Sequence, residues 1–102
     1  MKTVLKRREI IEKLKKNLSV SSIEILRQTT LDISSFTRCY VLLIRYGSTY
    51  QTVNLFLRYG WVEIEFCNCY DSILPAVRWY LSEIVLQSGS EFDQYCEAYK
   101  LV

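Results

Sequence analysis

Residues Arg45–Gly60 read RYGSTYQTVNLFLRYG, with Arg-Tyr-Gly at both ends. The two tripeptides stand 13 residues apart. No complete supersecondary unit fits that interval, so their match is read as coincidence and a longer repeat is sought.

At an offset of 39, SIEILRQTTLD (Ser22–Asp32) lies over WVEIEFCNCYD (Trp61–Asp71), with Glu24/Glu63, Ile25/Ile64 and Asp32/Asp71 identical. At an offset of 40, RCYVLLI (Arg38–Ile44) lies over RWYLSEI (Arg78–Ile84), matching Arg, Tyr40/Tyr80 and Ile. At an offset of 42, Gly47–Arg58 lies over Gly89–Lys100, sharing Gly-Ser and placing Tyr50 on Phe92. The common order of the three blocks favours a duplication over two independent amphipathic patterns.

Each copy then reads as strand, strand, helix. Val62, Ile64 and Phe66 alternate with Glu63 and Glu65, the period of a strand. Cys39–Ile44 is an apolar run rich in β-branched and aromatic residues, which suits a buried strand. A helix face through Phe36, Cys39, Tyr40, Leu43 and Ile44 is the competing reading, and Pro75 would suit the first turn of a helix starting at Ser72. Ser48 and Ser90 read as N-caps, Gly60 as a C′ residue, and Tyr50, Val53 and Leu57 fall at helical spacing.

Ahead of the repeat, Thr3–Leu18 forms an amphipathic helix, with Val4, Ile10, Ile11, Leu14 and Leu18 on one stripe. The expected fold is α+β in one domain: an N-terminal helix (1–20), then two β-β-α units (22–59 and 61–101). Their four strands form one antiparallel sheet with the helices on one face.

Charge is uneven. Residues 1–17 carry seven basic and two acidic side chains, and residues 61–102 carry two basic and seven acidic. Head and tail can pair within one chain or across a homodimer. No apolar run is long enough to span a membrane, and no signal peptide is apparent, so an intracellular location is expected.

Histidine is absent, which removes the commonest catalytic base and metal ligand. Cys67 and Cys69 on one strand face, with Cys39 and Cys96, do not have the two-knuckle spacing of a zinc site, and free thiols are expected. No phosphate-binding, nucleophile-elbow or dinucleotide motif occurs. Alternating acids such as Glu63 and Glu65 read as a solvated face. No catalysis, metal or cofactor is expected.

The chain, most clearly in SSIEILRQTTLDISSFTRCYVLLIRYGSTY (Ser21–Tyr50), resembles the small proteins of filamentous viruses of hyperthermophilic archaea, the Acidianus filamentous viruses among them. The resemblance implies a hot archaeal host cell, and it implies no activity or site residue.

The expected function is a non-enzymatic module that binds a host or viral protein or peptide. Its groove would lie between the two units, lined by Tyr50, Tyr59, Trp61, Trp79 and Tyr80. The alternative is nucleic-acid binding through Lys6, Arg8, Lys13, Lys15 and Lys16 of the N-terminal helix, with the rest of that helix docked.

Overall fold

The computed structural model describes residues 4–88. Helix α1 (Arg7–Leu18) precedes four strands, β1 (Glu24–Asp32), β2 (Thr37–Tyr46), β3 (Thr49–Arg58) and β4 (Trp61–Tyr70), and helix α2 (Ile73–Gln87) follows them. The strands form one antiparallel sheet in the order β1-β2-β3-β4.

The α+β class, the N-terminal helix and the four-stranded antiparallel sheet agree with the expectation. The two β-β-α units do not form. The stretch from Gly47 to Arg58, expected to be a helix, is a turn followed by β3. Arg78–Ile84, expected to be a strand, lies inside α2. The aligned pair Tyr40 and Tyr80 therefore sits on a strand and a helix. The partners Gly89, Ser90 and Phe92 of the third block fall outside the described residues.

Both Arg-Tyr-Gly tripeptides mark hairpin turns. Tyr46 pairs with Thr49 across Gly47-Ser48, and Arg58 pairs with Trp61 across Tyr59-Gly60. Gly47 has φ +62 as first central residue, a position that suits glycine in a II′ turn. Tyr59 and Gly60 have φ 50 and 84, the two positive values of a I′ turn. The tripeptide spacing is thus one ten-residue strand plus a turn, with glycine shifted by one place.

The helices cover opposite faces of the sheet, not one face. On the α1 side, Ile10 and Leu14 pack on Tyr40, Leu42, Ile44, Val53, Leu55 and Leu57. On the α2 side, Ala76 and Tyr80 pack on Cys39, Val41, Leu43 and Phe56. Alternate residues of β2 and β3 thus feed two cores, which is why these strands read as continuous apolar runs. Pro75 falls in the first turn of α2, where its missing N–H breaks no intrahelical bond.

α1 starts later than expected. Lys6 is its N-cap, and the Lys6 N–H donates to Glu9 Oε1 at 3.1 Å. Val4 precedes the helix and is exposed. Arg7 Nη2 donates to the Ile25 carbonyl at 2.8 Å, and the Leu5 N–H donates to the Tyr40 hydroxyl at 3.0 Å, tying this end to the sheet.

Each edge strand carries a bulge, which discourages pairing with foreign strands. In β1 it falls between Ile25 and Arg27. In β4 two residues, Cys67 and Asn68, face Thr52 alone, because Gln51 pairs with Cys69 and Val53 with Phe66.

Candidate functional site

The five aromatic residues expected to line one groove are dispersed. Tyr50 is the second residue of β3 and pairs with Tyr70, while Tyr59 follows the end of the same strand, about 30 Å away. Tyr80 is buried, its hydroxyl 2.6 Å from Thr29 Oγ1. Trp79 Nε1 donates to the Tyr70 hydroxyl at 2.6 Å. Among the described residues there is no inter-unit groove, and the set divides into Tyr50 with Trp79 near Tyr70, Tyr80 in the core, and Tyr59 with Trp61 at the far end.

That far end is an exposed aromatic ledge. The rings of Phe36 and Tyr59 stack with centroids 5.0 Å apart and an interplanar angle of 20°. Phe36, Tyr59 and Trp61 are 59%, 74% and 75% exposed. The ledge is built by two chain reversals. Phe36 ends the β1–β2 loop opposite the turn that holds Tyr59, since Thr37 pairs with Arg58. Arg58 lies over the Phe56 ring at 5.0 Å and bonds Glu63 at 3.2 Å, giving the ledge a charged margin. Phe36 entered the sequence reading only as part of a competing helix face; an aromatic in a serine-rich loop was the available signal.

A second feature lies between β4 and α2. Asn54 and Glu83 are both buried, and Asn54 Nδ2 donates to Glu83 Oε1. They line an open cleft with Glu65, Cys67, Asn68 and Trp79. Burial, then Glu83 and Glu65, push the Cys67 thiol up to about 11. Neither Asn54 nor Glu83 was singled out from the sequence, although each is a polar residue inside an apolar run.

The bulge corrects the reading of Cys67 and Cys69. They were expected on one face, the face of Glu63 and Glu65. Cys67 keeps that face, beside the cleft, but Cys69 turns to the α1 side, with its Sγ 3.5 Å from the Tyr46 hydroxyl. Cys39 is buried beneath α2, and Cys39, Cys67 and Cys69 are free thiols. Cys96 falls outside the described residues.

Of the basic candidates, Lys6, Arg8 and Lys16 are exposed, and Lys13 and Lys15 are half-buried. Lys15 Nζ meets Glu12 at 3.3 Å. Lys13 and Lys16 border, with Asn17, a hollow between α1 and the Val62 and Ile64 side of β4. Among the described residues no helix is long and apolar enough to cross a membrane.

No protein-family model, curated protein or solved structure matches the chain.

Proposed function

We propose that the protein is a non-enzymatic binding module that engages a partner protein or peptide through the ledge of Phe36, Tyr59 and Trp61. The observation that carries this reading is the exposed stack of Phe36 on Tyr59. Aromatic rings with polar tips are favoured at interfaces, where their area is finally removed from water. The backbone adds support. Tyr59 sits at φ 50, a conformation that costs a bulky residue free energy and that glycine or asparagine adopts more readily. The strain is compatible with a ring displayed for use. On the viral reading, the partner is a host or viral protein within an infected archaeal cell.

A fluorescence titration of the full chain against peptide pools tests the proposal. Binding tighter than about 100 μM, about −5.5 kcal/mol, is expected. Phe36→Ala or Trp61→Ala should weaken it about tenfold, with little change in melting temperature because both rings are exposed. Binding that survives both substitutions unchanged sinks the ledge.

The hollow beside Lys13 and Lys16 favours a second reading, in which the basic residues of α1 that border it contact nucleic-acid phosphates. Such binding must fall steeply with salt, because each contact releases counterions. A gel shift at low and moderate salt tests it, and a shift insensitive to salt removes it.

A further inference from the structure

Asn54 and Glu83 form an incomplete polar pair beneath α2. Asn54 is 1% exposed and Glu83 is 7% exposed. Glu83 receives one hydrogen bond, from the Asn54 amide, and Asn54 Oδ1 has no partner among the described residues. A buried carboxylate needs an opposite charge or several donors, and a buried amide oxygen needs at least one. Asn54 Oδ1 lacks a donor and Glu83 lacks an opposite charge among the described residues, and both residues line the same cleft.

The cleft, about 500 Å³ and open to solvent, has a further acceptor in Glu65, the cross-strand partner of Asn54. Glu65 projects from β4 into it, and neither Glu65 nor Glu83 has an ion-pair partner among the described residues. The effect of both carboxylates on the Cys67 thiol is that of an anionic field across the cleft. Trp79 forms a further wall, its indole held by the hydrogen bond to Tyr70.

We propose that this cleft binds an organic cation, an ammonium or guanidinium group, whose N–H bonds reach the carboxylates of Glu83 and Glu65 while the Trp79 ring covers it and Asn54 holds Glu83 in place from beneath. Among the described residues no three acidic or thiol side chains converge as ligands of one metal ion, so the match is to a larger cation with several spread donors. A basic side chain of a partner peptide supplies that chemistry, and so does a free polyamine. The peptide source rests on the partner-binding reading. Trp61 and Glu65 lie on the same face of β4, four residues or about 13 Å apart, so one extended peptide could reach ledge and cleft.

The test is an NMR titration of the ¹⁵N-labelled full chain, following the Asn54 side-chain amide and the Trp79 indole N–H. The probes are capped arginine, capped lysine, spermidine and the neutral isostere capped citrulline, all at fixed ionic strength. Saturable shifts with midpoints below about 10 mM are expected for the cations and none for citrulline. Glu83→Gln and Glu65→Gln should each weaken binding about tenfold. Glu65 is exposed, so its variant keeps the fold whatever happens to Glu83→Gln. Tighter binding of the amino-acid derivatives supports the site with a peptide side chain as ligand, and tighter binding of spermidine supports it with a polyamine. Absent shifts, an equal response to citrulline, or full binding by Glu65→Gln overturns the proposal. A capped amino acid cannot span from cleft to ledge, so failure here leaves the ledge to its own titration.

Discussion

The Tyr80 hydroxyl lies 2.6 Å from Thr29 Oγ1, a bond that links the middle of α2 to the edge strand β1. The Tyr80 ring is buried beneath the helix, while Thr29 is half-buried. Tyr80→Phe keeps the ring and removes the bond. It should cost about 1 kcal/mol in urea denaturation, and Thr29→Val should cost a similar amount. The double substitution should cost less than the two single effects together, because each single change leaves a polar group without its partner. Strict additivity would show that the two hydroxyls do not interact.

Gly60 sits at φ +84 with no atom within 4 Å of where a Cβ would lie. Gly60→Ala therefore meets no clash, and its cost is conformational, about 1 kcal/mol. Tyr59→Gly should relieve strain at φ 50 while losing the Phe36 stack, so its stability should change by less than about 1 kcal/mol. Partner binding should fall nonetheless. Thermal melts with the peptide titration separate the two effects.

Leu14 is fully buried where α1 meets the sheet, and Lys13 beside it is only half-buried. Leu14→Ala should destabilise the fold by about 3 kcal/mol, whereas Lys13→Ala should change it by less than about 0.5 kcal/mol. Equal effects in chemical denaturation would mean that α1 is not anchored through its apolar stripe.

Burial pushes the Cys39 thiol up from 9.0 to about 12, with Glu65 and Glu83 acting in the same direction. The folded state holds this proton more tightly than the unfolded chain does. Its contribution is complete below about pH 9 and is lost as pH rises toward 12. Cys39→Ala should be less stable at neutral pH by about 1–2 kcal/mol, from lost packing. Above pH 9 the gap to the wild type should narrow, since the variant has no thiol to ionise. Unfolding curves at pH 7 and pH 10.5 check this, and a constant gap would show that the thiol titrates at its ordinary value.

Much of the fold was legible where one signal acted alone. The stripe of Ile10, Leu14 and Leu18 marked α1, and the alternation of Val62 and Ile64 with acids marked β4, because one face of each meets water. The reading failed where both faces are buried. In β3, Thr52, Asn54 and Phe56 are as buried as Val53, Leu55 and Leu57, so period two disappeared and Tyr50, Val53 and Leu57 imitated a helix. Gly47-Ser48 completed the imitation, since the same dipeptide suits a hairpin turn and a helix start. In α2 the apparent match of Tyr80 to Tyr40 hid the spacing of Ala76, Tyr80 and Ile84. Tyr59 and Trp61 are named from the sequence for their amphipathic rings, but as the lining of a groove between two units that do not form. The Asn54–Glu83 pair joins positions 29 residues apart, and only the packing of α2 on β3 brings them together.

The sheet acts as a partition one backbone thick. Val41 and Leu42 are neighbours in the chain, yet their side chains enter different cores and share no packing partner. Damage on one side is therefore insulated from the other. A lineage of such chains could rework the α2 side, where the ledge's margin and the cleft lie, while the α1 side keeps the molecule folded.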